Sequence, residues 1–251
     1  MKNEEIKEER QDLIEGRNAV IEALRAGRAI DKIYLAKGET DKTLGHIASK
    51  ARAAGTVVVE TDRHKLDLMS VTGAHQGVIA VCAVREYATI DDILQVARDR
   101  GEDPLVVICD EISDPHNLGA IIRTCEVVGA HGVIVPKRRS AGINAACAKA
   151  AAGALEYLPV AKVSNLQQTI EELKTRGIAV VAADMGGQTM YGIDLARPTA
   201  IVIGAEGAGI SRMVREQSDC IVSIPQKGRI QSLNASNAAA VLLYEALRQR
   251  G

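Results

Sequence analysis

Six continuous runs of apolar residues alternate with helix-like segments from residue 105 onward. Runs of this kind, in which polar and apolar residues do not alternate, are typical of strands that are covered on both faces of a sheet. Such strands, separated by helices, favour a mostly parallel sheet and hence an α/β fold. The predicted strands are residues 105–109, 132–135, 157–160, 178–183, 200–203 and 220–224.

A smaller alternation of helices and strands precedes this region. Apolar residues recur at helical spacing in three segments and form short continuous runs in three others. This pattern predicts a small α/β sandwich. Its helices are predicted over 16–27, 40–54 and 62–69, and its strands over 32–35, 56–60 and 77–84.

Composition divides the chain into four segments. Residues 1–10 hold seven charged side chains, too many for a buried core, and we expect them to be a disordered tail. The α/β sandwich then occupies 11–85. Residues 86–103 are polar and lead into Pro104 through the helix-breaking residue Gly101. They have the composition of a linker, with one helix predicted over 89–99. The larger α/β domain occupies 104–251.

The content of aromatic residues and the net charge limit the classes of function. The chain has no Trp, no Phe and only five Tyr, which disfavours single-stranded RNA readers that stack bases on aromatic platforms. A net charge of −1 gives no global attraction for a polyanion. Any contact with nucleic acid must therefore come from local basic clusters. The candidate clusters are Lys137–Arg138–Arg139, Lys227 with Arg229, Arg63 with Lys65, and Arg17 with Arg25 and Arg28, and each of them also fits a solvated surface.

The five cysteines are odd in number and never form a Cys-x-x-Cys pair, which is typical of reduced core residues. No apolar run reaches the roughly 18 residues that span a bilayer, and the N-terminus is charged where a signal peptide is apolar. We therefore expect a cytoplasmic protein without a membrane contact. The five histidines have no metal-ligand spacing, and we expect no metal.

Three segments after predicted strands carry polar groups that suit a ligand site. The first is Asp114–Arg123, where Asn117 lies at a helix start and Arg123 falls opposite the apolar stripe. An Asn that caps the helix and a surface Arg would explain the same pattern.

The second segment, Ile201–Ile210, has glycines in the spacing G-x-x-G-x-G around Glu206. This is not the G-x-G-x-x-G of dinucleotide folds, and a carboxylate would repel a pyrophosphate. The Glu206 carboxylate suits a ligand with cationic groups or a substrate hydroxyl. A plain glycine turn without a ligand would explain the same pattern.

The third segment joins a basic loop to the apolar helix near the end of the sequence, with Ser232 and Asn234 on either side of Leu233. Asn234 also suits a helix cap. The helix is apolar almost all the way round, so it is predicted to be buried in its own domain or at a subunit interface.

Taken in order, the three segments resemble the motifs of the SpoU family of RNA ribose 2′-O-methyltransferases, in the SPOUT superfamily, over residues 105 to 250. The N-terminal domain looks like the ribosomal-protein-like RNA-binding domain of the branch that methylates a guanosine in 23S ribosomal RNA. The resemblance implies a SPOUT domain with a C-terminal trefoil knot, S-adenosylmethionine as cofactor, ribosomal RNA as substrate and an active site formed across a homodimer. The implied active-site residues are Asn117, Arg123, Glu206, Ser232 and Asn234, and the implied cofactor-binding residues are Ile203, Gly204, Ile224 and Leu233.

Three other functions remain open at this point. A transfer-RNA methyltransferase of the same family is disfavoured, but not excluded, by the separate N-terminal domain. A non-catalytic RNA-binding or ribosome-assembly factor is disfavoured by the five intact polar positions. A dinucleotide-dependent oxidoreductase is disfavoured by the glycine spacing.

Overall fold

The computed structural model of the protein describes residues 13–38, 41–83, 86–229 and 232–251, so the predicted tail over 1–10 lies outside the described residues. The chain divides into two compact units. The first runs to Glu86 and includes Gly142–Ala146, and the second comprises Tyr87–Ala141 and Cys147–Gly251. Within the described residues, no helix is both long and apolar enough to span a membrane.

The first unit is built on a four-stranded mixed sheet. The strand order is β1-β4-β2-β3, with β4 antiparallel to β1 and β2, and with β2 parallel to β3. The elements are β1 (Leu13–Glu15), α1 (Arg17–Arg25), β2 (Ile30–Ala36), α2 (Lys42–Ala53), β3 (Val57–Thr61), α3 (Arg63–Met69) and β4 (Val78–Cys82). Only the three-residue strand β1 is absent from the sequence-based prediction, because a strand that short has no readable periodicity.

Both faces of this sheet carry apolar clusters. The larger cluster packs Val20 of α1 and Ile47 of α2 against Ile33 and Val78 of the sheet. A smaller cluster on α3 includes Leu66 and Ile79. The first unit is therefore the small α/β sandwich that the sequence predicts.

The second unit is built on a six-stranded sheet in which every pairing is parallel. The strand order is β10-β8-β9-β5-β6-β7. The strands are β5 (Leu105–Cys109), β6 (Gly132–Pro136), β7 (Val160–Val163), β8 (Ala179–Thr189), β9 (Thr199–Ile203) and β10 (Cys220–Ser223). The helices are α4 (Ile90–Arg100), α5 (Pro115–Val127), α6 (Ala145–Ala151), α7 (Leu166–Thr175), α8 (Arg212–Gln217) and α9 (Ala235–Arg250). The predicted mostly parallel α/β fold is confirmed.

Two strands differ in extent from the prediction. Strand β7 begins at Val160, whereas the apolar run begins at Tyr157. A 3₁₀ turn over Ala154–Glu156 precedes it, and Pro159 has no N–H to donate to a neighbouring strand. Strand β8 continues to Thr189, because its polar second half pairs with β10.

The segment 86–103, interpreted above as a linker, carries the predicted helix as α4. The helix begins with a capping box in which the Asp92 N–H donates to Thr89 Oγ1 at 3.1 Å and the Thr89 N–H donates to Asp92 Oδ2 at 2.8 Å. Ile93 and Leu94 are buried in the core of the second unit. This part of the segment is therefore more than a connection, because it supplies part of that core.

Helices on both sides bury the central strands completely. All five residues of β5 and of β9 are buried. The helices α4, α7 and α8 contribute to one core cluster, while α5 and α9 pack against each other and against β6 and β9, respectively. Strand β10 lies at the sheet edge, so the chain crosses the ends of β8 and β9 on its way to α9. Threading of this crossing through a loop, as a trefoil knot requires, stays a prediction.

Candidate active site

The three polar segments lie at one edge of the six-stranded sheet. Strands β5, β9 and β10 run parallel, so their carboxyl ends meet at the same edge. The first segment follows β5, the second follows β9, and the third lies between β10 and α9. In open α/β sheets, ligands bind in the crevice outside these carboxyl ends.

The first segment begins α5 in a way that leaves Asn117 available. Asp114 is the cap, because its Oδ1 accepts a hydrogen bond from the His116 N–H at 2.9 Å, and Pro115 occupies the first helical position. Asn117 is the third helical residue. The alternative interpretation of Asn117 as a helix cap is therefore wrong.

The same helix places Arg123 away from the sheet. The predicted apolar stripe of α5 is buried, and Arg123 is exposed on the opposite side. Arg123 follows Asn117 by six positions, which corresponds to about 9 Å along a helix axis. Among the described residues, the Arg123 side chain makes no hydrogen bond or ion pair. One copy of the chain thus does not bring Arg123 to Asn117.

The second segment forms a closed five-residue loop after β9. The Ala205 N–H donates to the Gly209 carbonyl at 3.0 Å, and the Gly209 N–H donates back at 2.8 Å. A Cβ atom on Gly204 would lie 2.3 Å from the Gly209 carbonyl carbon. Glycine at 204 is therefore required by the closure of the loop itself, which presents Glu206 at its tip.

Three side chains from the three segments meet in a cluster that consists of Asn117, Glu206 and Asn234. Asn117 donates through Nδ2 to Glu206 Oε1 at 2.9 Å. Asn234 donates through Nδ2 to Asn117 Oδ1 at 2.9 Å and also to Glu206 Oε1. The backbone N–H of Ala235 donates to the same oxygen at 3.4 Å. From the described residues, Oε2 of Glu206 receives no hydrogen bond, so this oxygen can accept one from a ligand.

Asn234 also caps the last helix. Its Oδ1 accepts from the backbone N–H of Ser236 at 3.0 Å and from that of Asn237 at 3.3 Å. The cap and the cluster use different atoms of one amide. The interpretation of Asn234 as a helix cap is confirmed, and its role in catalysis stays a prediction.

A cavity of about 600 Å³ lies beside this cluster. All four residues predicted to bind the cofactor, namely Ile203, Gly204, Ile224 and Leu233, line it, as do Glu206 and Ser232. Arg123 does not line it. The volume lies within the range of ligand pockets, at about 300–1,000 Å³.

A second carboxylate of the cavity was missed by the sequence analysis. Asp184 lies in β8 and lines the cavity. It accepts a hydrogen bond from the N–H of Met185 at 2.7 Å and forms an ion pair with Arg215. An acidic residue directly after a buried apolar run was the available signal, because such a residue lies at the ligand-binding edge of a parallel sheet.

The buried histidines hold the fold together. His131 accepts through Nδ1 from the Leu105 N–H at 2.9 Å, and its Nε2 lies 2.9 Å from Glu102. His75 accepts through Nδ1 from the Gly77 N–H at 3.0 Å, and its Nε2 lies 2.8 Å from Asp67. In the described part of the chain, no cluster of His, Cys, Asp and Glu has the arrangement of a metal site.

Comparison with known proteins identifies the family to which this fold belongs. Residues 104–244 match the SpoU rRNA Methylase family, and residues 13–88 match the RNA 2′-O ribose methyltransferase substrate binding family. The chain belongs to the SpoU methylase family. It is an S-adenosylmethionine-dependent RNA methyltransferase of this family.

Relatives of this SpoU protein match over nearly the whole chain. YacO of Bacillus subtilis (strain 168), named as a TrmH family tRNA/rRNA methyltransferase, is 44% identical over 96% of this chain and 97% of its own length. The SpoU methyltransferase AviRb of Streptomyces viridochromogenes, crystallised with AdoMet, is 30% identical, with a TM-score of 0.60 over 95% of this chain and 89% of AviRb. An AdoMet-bound rRNA methyltransferase of Sinorhizobium meliloti is 26% identical, with a TM-score of 0.59 over 99% of this chain and 95% of that protein.

The residues around the cavity of this SpoU protein fit S-adenosylmethionine. Val222, Ile224 and Leu233 supply apolar surface for an adenine ring. Glu206 supplies negative charge, which suits a sulfonium or an ammonium group, whereas the charge of Asp184 is paired with Arg215. Glu206 receives only amide donors among the described residues, so no side-chain cation neutralises it there.

Proposed function

We propose that this protein methylates the ribose 2′-hydroxyl of a guanosine in 23S ribosomal RNA, with an active site completed by a second copy of the chain. The observation that supports methyl transfer at this place is the position of the Asn117–Glu206–Asn234 cluster. It borders a cavity that fits the methyl donor and leaves one carboxylate oxygen of Glu206 open.

The cluster positions the ribose. The amides of Asn117 and Asn234 donate to Glu206 Oε1 and so hold the carboxylate in one orientation. The open Oε2 then accepts a hydrogen bond from the target 2′-hydroxyl. Holding the hydroxyl oxygen in line with the reacting carbon supplies much of the rate enhancement in a displacement of this kind.

S-adenosylmethionine, when bound, supplies an electrophilic methyl group on a positively charged sulfur. Ile224 and Leu233 keep water from that part of the cavity, and Ser232 lies at the same wall, where its hydroxyl can orient the ribose. The bound donor would give up its methyl group to the 2′-oxygen, and the sulfur would leave as a neutral thioether. Glu206 Oε2, which accepts the hydrogen bond of the 2′-hydroxyl, would take up the proton first and would pass it on to the adjacent phosphate or to water.

Arg123 acts as a cation in this proposal, not as a base. A guanidinium remains protonated at physiological pH, and its planar donors suit a phosphate. In contact with the phosphate next to the target ribose, Arg123 stabilises the negative charge that develops on the 2′-oxygen. Within one copy, Arg123 is exposed on α5 and lies outside the cavity, so we assign this contact to the Arg123 of a second copy.

The outer surfaces of α5 and α9 support a homodimer. These helices pack against each other, and both leave apolar side chains uncovered on their outer faces. Val127 of α5 is 60% exposed, and Tyr244 and Leu247 of α9 are 53% and 38% exposed. Arg123 shares the outer face of α5 with Val127, so a dimer interface on this face would place Arg123 against the second copy of the chain.

The substrate assignment depends on the first unit. Residues 13–88 match a family of substrate-binding domains, and the S. meliloti neighbour is named as an rRNA methyltransferase. YacO is named for both tRNA and rRNA, so a tRNA substrate is the second candidate. A non-catalytic RNA-binding role is a third candidate, which the cluster and the cavity argue against.

A methylation assay with purified protein tests the assignment. The protein is incubated with S-adenosylmethionine and either a 23S ribosomal RNA transcript or a pool of transfer RNA, and ribose methylation is mapped by mass spectrometry. We expect a single 2′-O-methylguanosine in the ribosomal transcript. Methylation confined to transfer RNA would contradict the substrate, and no ribose methylation in either RNA, despite cofactor binding, would contradict the reaction.

A further inference from the structure

The basic loop Lys137–Arg138–Arg139 lies at the same edge of the sheet as the candidate active site. It directly follows β6, which pairs in parallel with β5. Neighbouring strands lie about 5 Å apart, so the loop is one strand away from the loop that leads into α5 and Asn117.

Hydrogen bonds join these two loops. The backbone N–H of Ala141 donates to the Ile112 carbonyl at 2.7 Å, and Ser140 donates through Oγ to the same carbonyl at 3.3 Å. Arg139 donates to Glu111 Oε1 at 3.0 Å. The basic loop is thereby fixed to the segment that positions Asn117.

The paired residues Glu111 and Arg139 both have a left-handed backbone. Their φ angles are 59° and 55°, in a region that residues other than glycine seldom adopt. Such conformations persist only where the surrounding structure enforces them, and they concentrate at functional sites. The two loops therefore hold a defined conformation that a solvated surface turn does not require.

The cations of the loop are open to solvent and to a ligand. Arg138 is exposed and, among the described residues, makes no hydrogen bond or ion pair. The Arg139 side chain is 79% exposed, so its pair with Glu111 leaves much of the guanidinium accessible. Lys137 is half-buried, and its backbone N–H donates to the Val163 carbonyl at 2.8 Å.

The order of the cavity, the cluster and the basic loop along the sheet edge predicts the direction in which the substrate RNA runs. The cofactor cavity is formed by the second half of β8 and by the segments around the ends of β9 and β10. The Asn117–Glu206–Asn234 cluster joins the segments after β5 and β9, and the basic loop follows β6. A ribose held at the cluster therefore has the cavity on one side and the cations on the other. Nucleotides that flank the target and extend away from the cavity pass over β6.

We propose that Lys137, Arg138 and Arg139 bind the phosphate backbone of the substrate RNA next to the target nucleotide. This rests on the proposed function, because the direction of the RNA follows from the position of the methyl-transfer site. Each cation neutralises phosphate charge and displaces a bound counterion, so the contribution is sequence-independent and falls as salt rises. The loop sets RNA affinity and register, and it takes no part in the methyl transfer itself.

The test compares Arg138→Gln with a matched control, Arg98→Gln. Arg98 is also exposed, but it lies near the C-terminus of α4, which precedes β5 and so places it toward the opposite edge of the sheet. RNA affinity is measured by filter binding of a 23S ribosomal RNA transcript over a series of salt concentrations. For Arg138→Gln we expect affinity to fall about fivefold and the slope of log affinity against log salt to shrink by about one. Arg98→Gln should match the wild type in RNA affinity and in the salt slope.

Arg139→Gly is a second variant, chosen because it is not expected to disturb the fold of the loop. It removes the charge, while glycine adopts the left-handed conformation without strain. We expect weaker RNA binding and a raised KM for RNA, with kcat within about twofold of the wild type. Equal RNA affinities and salt slopes for the wild type, Arg138→Gln and Arg139→Gly would overturn the proposal.

Calorimetric titration with S-adenosylmethionine separates this proposal from the proposed function. All variants should bind the cofactor as the wild type does, since the loop does not line the cavity. If the wild-type protein binds the cofactor and methylates RNA, but the loop variants bind RNA as the wild type does, only the proposed role of the loop is overturned. A wild-type protein that binds RNA through the loop but transfers no methyl group would instead overturn the proposed function.

Discussion

Asn234 joins a helix cap and the predicted active-site cluster through one side chain. Its Oδ1 caps α9, and its Nδ2 holds Glu206 and Asn117 in the cluster. A cap needs only an acceptor, whereas the cluster also needs a donor. Substitutions can therefore separate the two tasks.

We predict that Asn234→Ser keeps the cap and loses the activity. Serine is as good a cap as asparagine but has no amide donor for Glu206. Its free energy of unfolding should stay within about 0.5 kcal/mol of the wild type, whereas Asn234→Ala should lose about 1 kcal/mol. Chemical denaturation and a methyl-transfer assay measure the two effects. Full activity of Asn234→Ser would show that the cluster has no catalytic role.

His131 links stability to pH. Burial lowers its pKa below the ordinary value of 6.5, and the contact with Glu102 opposes that effect only in part. The neutral ring also accepts the hydrogen bond from the Leu105 N–H, which a protonated Nδ1 cannot accept. Below pH 6.5 the unfolded chain thus binds more protons at this residue than the folded chain does.

We therefore predict a stability contribution from His131 that is fully present above about pH 6.5. It is lost as the pH falls from that value through the lower pKa of the folded state. Denaturation midpoints between pH 5 and pH 8, for the wild type and for His131→Gln, measure it. The variant should show a flatter profile in this window, and His46→Gln, at an exposed position of α2, should keep the wild-type profile. Identical profiles for all three proteins would refute the assignment.

At the scale of elements, the last turn of α9 is fastened to the second unit by Arg250. The guanidinium donates to the carbonyl oxygens of Leu195 at 3.0 Å, Asp103 at 2.6 Å, Pro104 at 3.2 Å and Arg197 at 2.7 Å. Burial lowers the pKa of Arg250, so these acceptors offset a real loss of hydration. The beginning of the same helix supplies Asn234 to the cluster.

We predict that Arg250→Ala lowers the free energy of unfolding by about 2 kcal/mol, because it removes charge-assisted hydrogen bonds to four carbonyls. Arg248→Ala, two residues earlier, is the matched control. Arg248 pairs with Glu245 on the same helix and its side chain is 67% exposed, so its loss should cost clearly less than the loss of Arg250. Urea denaturation ranks the two variants, and an equal or reversed ranking would refute the role of Arg250.

The sequence predicts most elements of this fold but not their full extent. Continuous apolar runs indicate strands such as β5 and β9 because burial on both faces leaves a direct compositional trace. The second half of β8 leaves none, since its residues are polar and pair with β10 by backbone hydrogen bonds. The start of β7 is displaced by Pro159, which an apolar count does not register.

The site was predictable only in part for a related reason. Asn117 and Glu206 are 89 positions apart, and Asn117 and Asn234 are 117 positions apart, so no local pattern links them. Their order along the chain and the family resemblance supplied the link. Asp184 lies in none of the three segments, and its position directly after an apolar run was the one signal that could have pointed to the cavity. The roles of the site residues stay predictions.

At the scale of the whole molecule, one copy of the chain does not bring Arg123 to the other predicted active-site residues. The cluster and the cavity are assembled within the second unit, while Arg123 faces outward on α5 beside an exposed apolar surface. A dimer through α5 and α9 accounts for both observations. In the proposed dimer, each active site would depend on two chains.

Complementation between two inactive variants tests this account most directly. Glu206→Gln and Arg123→Ala are purified separately and as a co-expressed mixed dimer selected by two affinity tags, and methyl transfer to 23S ribosomal RNA is measured for each. We predict that each variant alone is inactive, while the mixed dimer, which keeps one intact site, has about half the wild-type activity. Activity of either variant alone, or an inactive mixed dimer, would contradict the account.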